Sequence, residues 1–134
     1  MPLGQMPSFE MECWESIRRA RPDFRSPFFS VAYSQAVHRA RGDVEVAVVR
    51  RDQQPIAFLP FHRIGAHAFP VGRFFNDAHN LIAPADHAIS WDWLLESLGL
   101  RSYSFHALLG FDSQQFPDHT CHETIRSFRC DIGD

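Results

Sequence analysis

The spacing of apolar residues changes along the chain from a helix-like repeat to a strand-like alternation and back. Apolar side chains that recur every three to four residues predict three amphipathic helices, near 9–20, 31–41 and 87–98. Pro22 disfavours helical geometry in the residue before it, so we expect the first helix to end there. Gly42 stands at the expected C-cap of the second helix, and Asp86 or Ser90 is expected to cap the third.

Runs of β-branched residues with partial alternation predict the strands. A hairpin is predicted from 44–50 and 55–62, which are joined by a polar turn. Further strands are predicted near 73–82 and 102–109, and 65–72 is expected to be a loop or a short strand. The pattern therefore predicts an α+β fold, in which three helices pack on a mixed or antiparallel sheet of four or more strands.

The two ends of the chain and its cysteines bound its organisation. Residues 1–8 contain two prolines and few apolar anchors, so we expect a flexible lead-in to a single domain over 9–134. The N-terminus lacks the charged and apolar regions of a signal peptide, and no run approaches the roughly 18 apolar residues of a membrane helix. We therefore expect no membrane insertion. Three widely spaced cysteines favour a reduced, cytoplasmic protein with free thiols.

The charged residues exclude several function classes. All 13 basic residues are arginine and none is lysine, which excludes Schiff-base chemistry and a P-loop lysine. The net charge is −3, and no more than two arginines stand together. Because nucleic-acid binding usually needs a basic face, we expect no nucleic-acid partner.

Zinc-type ligands occur near the C-terminus, but their spacing is poor. His119, Cys121, His122 and Cys130 have the softness that zinc prefers. The adjacent Cys121 and His122 can hardly both face one ion, and the chain has no CxxC pair. We therefore expect neither a metal site nor a disulfide. Cys13 lies on the apolar stripe of the first predicted helix, where we expect it to be buried.

The stretch 73–80 is the most polar insertion in an apolar context. It is predicted as a strand that buries Phe74 and Phe75 and then carries Asp77 and His79. Two interpretations stay open. In the first, Asp77 caps backbone N–H groups at a bulge or a strand break. In the second, Asp77 and His79 stand at the mouth of a cleft, where they bind or activate a small polar substrate.

Several short segments carry a resemblance to a known family. They are 26–30, 44–49, 55–61, 72–77, 93–95 and 103–105. In this order, over roughly residues 9–132, the chain resembles the N-terminal half of the CelD-type acetyltransferases. These are GNAT-superfamily proteins of bacterial cellulose and exopolysaccharide biosynthesis, related to FemAB-type transferases. The segment 72–77 is similar to the family's Gly-x-x-x-(Ser/Asn)-Asp turn, although Ala78 follows where the family has an aromatic residue.

The resemblance implies a GNAT-like half-domain on the acceptor side of an acyltransferase. Family members carry the acetyl-CoA pyrophosphate loop in a C-terminal half, and this chain has no such glycine-rich turn. We therefore expect no acetyl-CoA site here. The implied partners are the missing C-terminal half or a homologous subunit, and a small polar or sugar-like acceptor. On this hypothesis Asp77 and His79 are the catalytic candidates, and Arg73, Asn76 and Asn80 are the substrate-binding candidates.

A second hypothesis is a non-enzymatic interaction or scaffolding module with the same fold. It predicts an exposed apolar contact patch formed by Phe28, Phe29, Trp91 and Phe111. The absence of a coenzyme loop favours this hypothesis for the chain by itself, whereas the family resemblance favours the acyltransferase.

Overall fold

The computed structural model describes residues 1–109, which form an α+β domain. Within these residues the helices are α1 (Ser8–Ala20), α2 (Val31–Arg41) and α3 (Trp91–Ser97). The strands are β1 (Val44–Arg51), β2 (Gln54–Ile64), β3 (His67–Pro70) and β4 (Ser102–Tyr103). Short 3₁₀ turns lie at Leu3–Gln5, Pro22–Phe24, Pro27–Phe29 and Arg73–Phe75. The predicted fold class is confirmed.

Local signals in the sequence set the ends of the helices. The Ser30 hydroxyl accepts the Tyr33 N–H at 3.1 Å and caps α2. Gly42 ends the same helix in the left-handed conformation, with φ of 77°. Of the two cap candidates for α3 the structure uses Ser90, whose hydroxyl accepts the Trp93 N–H at 3.2 Å. The third helix therefore begins later than the predicted 87–98.

The four strands form one mixed sheet in the order β1-β2-β3-β4. The first two strands form the predicted hairpin, in which Val46 is opposite Pro60. β3 pairs antiparallel with β2, and the short β4 pairs parallel with β3. The two strands that flank β2 thus run in the same direction, and the chain must cross over before it adds β4.

Two of the predicted strands differ from the structure. The stretch 73–82 is a 3₁₀ turn followed by irregular chain, because Gly72 and Arg73 both have positive φ, of 80° and 50°. It touches the sheet at Ile82, which exchanges two backbone hydrogen bonds of 2.9 Å with Phe58. The third strand lies instead at His67–Pro70, inside the segment expected to be a loop or a short strand. The strand predicted near 102–109 is confined to Ser102–Tyr103.

Apolar side chains of alternate strand residues fill two clusters on opposite faces of the sheet. On the face covered by α1 and α2, the fully buried Trp14 stacks on Phe58 with ring centroids 5.6 Å apart. Its indole N–H donates to the Phe29 carbonyl at 2.8 Å, so the one polar atom of the side chain is satisfied. On the other face, Leu59 and Leu94 belong to the cluster that α3 covers.

The N-terminal residues, expected to be a flexible lead-in, are packed against this core. Leu3 is 1% exposed and Met6 is 5% exposed. The Val46 N–H donates to the Met1 carbonyl at 2.8 Å, and the Met1 amino group donates to the Val46 carbonyl at 3.0 Å. The two apolar side chains and this edge pairing outweigh the prolines and glycine that suggested a loose segment.

Arginine side chains tie irregular segments to the regular elements. Arg18 on α1 donates to the Phe24 carbonyl at 3.1 Å, which holds the turn that follows the helix. Arg63 on β2 donates to the Glu45 carboxylate at 2.9 Å and to the Leu98 carbonyl at 3.0 Å. Each guanidinium serves several acceptors at once because its donors form a fixed planar fork.

We expect Gly72→Ala to destabilise the protein more than Gly65→Ala. Both glycines have positive φ, so alanine costs about 1 kcal/mol at either position. A Cβ at Gly72 would also lie 2.0 Å from the Tyr33 hydroxyl, whereas nothing lies within 4 Å of a Cβ at Gly65. We expect this overlap to cost about 1–3 kcal/mol more, measured by urea unfolding. Equal losses in the two variants would mean that Tyr33 moves aside without cost.

Candidate functional site

The polar segment predicted to carry the chemistry follows the sheet at Gly72. At His79 it pairs with the later chain, through backbone hydrogen bonds of 3.2 Å to Ala107 and 3.1 Å to Leu109. Asn76 is its best-anchored side chain, with 2% exposure. Its amide Nδ2 donates to the Val71 carbonyl at 3.0 Å, and its Oδ1 accepts the Ala78 N–H at 2.9 Å. Because the amide is buried and hydrogen-bonded to the backbone at both ends, Asn76 shapes the turn. The structure offers its amide no route to a ligand.

The two catalytic candidates do not share a site in this structure. Asp77 is exposed and, within residues 1–109, its carboxylate has no hydrogen bond or ion pair. His79 is 4% exposed. The capping that one interpretation gave to Asp77 is performed one residue earlier, by Asn76. A catalytic role for Asp77 and His79 stays a prediction.

His79 organises the backbone of a distant segment. Its Nε2 atom accepts the N–H groups of His106 at 3.3 Å and Ala107 at 3.2 Å, so the ring proton belongs on Nδ1. Nδ1 is buried without a hydrogen bond among the described residues, although the Asn76 carbonyl acts on the ring weakly. Burial, with a smaller contribution from His106, lowers the pKa of His79 to about 4. The imidazole is therefore neutral at pH 7, with its lone pair already occupied.

The other two substrate-binding candidates are Asn80 and Arg73, and each contacts other parts of the protein. The Asn80 amide Nδ2 donates to the Leu109 carbonyl at 2.7 Å, so this side chain also serves the backbone. Arg73 is half-buried, and its guanidinium lies 4.5 Å from the centroid of the Phe69 ring. Its Nε atom is buried and has no acceptor among the described residues. Arg73 is therefore held by cation–π contact, without a carboxylate partner in residues 1–109.

Phe74 and Phe75, expected to be buried in a strand, are the most exposed aromatic residues that the structure describes. Their side chains are 78% and 86% exposed, because the 3₁₀ turn lifts both rings away from the sheet. The Phe74 ring lies beside His106, with centroids 5.5 Å apart, and its centroid is 5.8 Å from the Arg73 guanidinium. Two adjacent exposed rings are unusual on a protein surface, where apolar residues are normally scattered singly.

The contact patch predicted for the interaction hypothesis is not formed by the residues named. Phe29 is 1% exposed and Trp91 is 7% exposed, since both belong to the two apolar clusters. Phe28 is half-buried, and its ring meets Tyr33 edge-on. Phe111 lies outside the described residues. The exposed aromatic surface is instead at Phe74 and Phe75.

A cleft that the sequence did not indicate opens between α3 and the 101–108 segment. It has a volume of about 170 Å³ and is lined by Trp91, Asp92, Leu95, Arg101, Ser102, Tyr103, Phe105 and Leu108. The Tyr103 ring packs against Trp91 at an interplanar angle of 36°, with centroids 5.1 Å apart, and burial raises the pKa of its phenol, which is neutral at pH 7. The cavity beside His79 is only about 10 Å³, room for about one water molecule. Of these two spaces, only the cleft has room for a substrate.

The metal and disulfide expectations fall partly on residues outside the described range. Within residues 1–109, no group of three or more His, Cys, Asp or Glu side chains could hold a metal ion. His119, Cys121, His122 and Cys130 lie beyond that range. Cys13, expected to be buried, is half-buried against the apolar cluster that contains Trp14 and Phe58, and it is a free cysteine.

Comparisons of the chain with family models, curated proteins and solved structures find no match. In the part of the chain that the structure describes, no helix combines the length and apolarity needed to cross a membrane.

We expect Asn76→Ala to destabilise the fold by about 2 kcal/mol, because it removes two buried hydrogen bonds to backbone groups. The neighbouring change Asp77→Ala is the matched control. We expect it to alter the free energy of unfolding by less than about 0.5 kcal/mol, since the side chain is exposed. Chemical denaturation of the two variants measures both. A loss of 1 kcal/mol or more in Asp77→Ala would give the capping role back to Asp77.

Proposed function

We propose that this chain is the acceptor-side half of a GNAT-type acyltransferase. It would act in the cytoplasm, where acetyl would pass from acetyl-CoA to an amine or hydroxyl of a small polar or sugar-like acceptor used in polysaccharide or cell-envelope synthesis. The observation that carries the proposal is the cleft of about 170 Å³ between α3 and the 101–108 segment. Its volume is below the roughly 300–1,000 Å³ of drug-sized pockets, so it suits one small molecule or one unit of a larger one.

The lining of the cleft suits such an acceptor. Trp91 and Tyr103 offer the surface of two tilted aromatic rings, and Phe105 stands at the rim with 39% exposure. Arg101 and Ser102 add a guanidinium and a hydroxyl, so an apolar surface is combined with a few polar groups that can orient a ligand. These residues would bind and position the acceptor. The second half would bring the coenzyme.

Within this proposal His79 is a positioning residue. By accepting the N–H groups of His106 and Ala107, it fixes the segment that supplies Phe105 and Leu108 to the cleft. It would not serve as the general base in this arrangement, because its lone pair is occupied and it is buried. Asp77, which is exposed on the neighbouring turn, is free to meet groups from a second half-domain.

The test is a ¹⁵N NMR titration of the chain with a panel of amino sugars and neutral sugars, and separately with acetyl-CoA. We expect sugar-induced shifts confined to the cleft, around Trp91 and Tyr103, and no acetyl-CoA binding tighter than about 0.1 mM, or roughly −5.5 kcal/mol. Leu95→Trp fills the cleft and should abolish the sugar shifts. Glu96→Trp adds the same side chain at an exposed neighbouring position and should leave them. Sugar shifts that are absent or lie elsewhere would reject the cleft as the acceptor site.

The exposed pair Phe74 and Phe75 favours a second candidate, a contact module without its own activity. Such a surface is typical of a protein–protein contact. We expect the double change Phe74→Ser with Phe75→Ser to abolish association with a GNAT half supplied as a separate chain, or self-association, as measured by sedimentation velocity. The free energy of unfolding should stay within about 0.5 kcal/mol, because the rings are exposed.

The matched control is Phe9→Ser on α1, where the ring is 56% exposed and far along the chain from the turn. This variant should associate as the unmodified chain does. If association is unchanged in the double variant, the turn at Arg73–Phe75, called the aromatic turn below, is not a contact surface. Loss of association with sugar binding retained would separate the contact role from the acceptor site.

A further inference from the structure

Two buried histidines flank the aromatic turn, and each accepts backbone N–H groups. His62, on β2, is 1% exposed, and its Nε2 accepts the Gly72 N–H at 3.0 Å, where the turn begins. His79, beyond the turn, accepts the N–H groups of His106 and Ala107. Imidazole lone pairs therefore help to hold both the turn and the 104–108 segment. The segment also has backbone hydrogen bonds, from the His79 N–H to the Ala107 carbonyl at 3.2 Å and from the Ser104 N–H to the Ala68 carbonyl at 3.0 Å.

Protonation removes this kind of contact completely. A protonated imidazole carries hydrogen on both nitrogens and has no lone pair to offer. Its N–H would then face the N–H of Gly72, or those of His106 and Ala107, at about 3 Å, and donor would oppose donor. A charged ring in these buried positions would also have lost most of its hydration.

We infer that acid releases the turn at Arg73–Phe75 and the segment 104–108, the turn when His62 takes up a proton and the segment when His79 does, while the rest of the domain stays folded. Opening moves Phe105 and Leu108 away from the cleft and frees the turn that carries Phe74 and Phe75. The cleft is then complete at neutral pH and is dismantled in acid.

The surroundings of His62 decide how readily it takes up a proton. Its Nδ1 lies 3.1 Å from the Asp43 carboxylate, which pairs with Arg41 at 2.9 Å. The residues opposite on the neighbouring strands, Val44 and Phe69, are apolar. Burial lowers the pKa of His62, Asp43 opposes this, and Arg41 adds to the lowering. The net result is a pKa below the ordinary value.

The surroundings of His79 contain no carboxylate in contact among the described residues. The charged form would face the His106 ring, at a centroid distance of 4.8 Å, and the neutral Tyr103 ring at 6.5 Å. Only the Asn76 carbonyl favours the proton, whereas Asp77 points into solvent. Of the two rings, His79 is therefore the harder to protonate.

The lowered pKa values of His62 and His79 mean that acid favours the open state. Both rings have a lower pKa in the closed state than the roughly 6.5 of a solvated histidine, so the open state binds protons more readily. The closed state is fully favoured above that value and is weakened as the pH falls toward 4. For His79, with a pKa of about 4 when closed, the opening equilibrium should rise about 30-fold between pH 7.5 and pH 5.

The experiment follows backbone amides of the whole chain by NMR from pH 7.5 to pH 5. Hydrogen-exchange protection, corrected for intrinsic pH dependence, should fall about 30-fold at His106 and Ala107, and should fall at Gly72 as well. The indole N–H of Trp14, which donates to the Phe29 carbonyl in the core, reports on global unfolding and should stay protected.

Three variants assign the effect to individual rings. His79→Gln provides a non-titrating acceptor and should remove the pH dependence at His106 and Ala107 while leaving that at Gly72. His62→Gln should do the reverse. His67→Gln, at an exposed position, should change neither.

Direct titration of the histidine ring signals in the unmodified protein keeps the test independent of how well the variants fold. Values near 6.5 for His62 and His79 would overturn the inference. So would loss of protection at Gly72, His106 and Ala107 that occurs only together with loss of the Trp14 indole signal.

Discussion

The backbone at Val71 and Gly72 is the constraint on which the region around the candidate site depends. The Val71 carbonyl accepts the Tyr33 hydroxyl at 3.1 Å and the Asn76 amide at 3.0 Å, while the Gly72 N–H donates to His62. One short stretch of backbone therefore joins α2, β2 and the polar segment. Tyr33 leaves no room for a side chain at Gly72, so glycine is required at the point where positive φ turns the chain.

Much of the fold could be predicted because its signals are local. The helical repeat and the C-cap at Gly42 identify α2, and alternation identifies the hairpin of β1 and β2. The strand prediction for 73–82 is wrong because two adjacent phenylalanines near branched residues have the pattern of a buried strand. Positive φ at Gly72 and Arg73 turns the chain instead, and the alternation of apolar and polar residues does not indicate positive φ. The short β3, which ends at Pro70, has too few residues for a clear pattern.

The candidate site could be predicted only in part. The polar cluster at 73–80 was found, but its partners come from much later in the chain, since His79 bonds to His106 and Ala107. The cleft joins α3 to the 101–108 segment and so has no contiguous motif. The only sequence signal was the alternation at Tyr103 and Phe105, which predicted a strand. A site assembled by a crossover connection has to be located in three dimensions before its chemistry can be assigned.

The exclusive use of arginine has a consequence for chemical modification. Arg18 and Arg63 each hold a neighbouring loop through a guanidinium fork, which an amine could not reproduce. Since the whole chain contains no lysine, it offers no side-chain amine that an activated acyl group could acylate. If the proposed function holds and this domain works beside an acyl-CoA site, its side chains are intrinsically resistant to stray N-acylation. The charges that hold its loops would then persist wherever acyl donors are abundant.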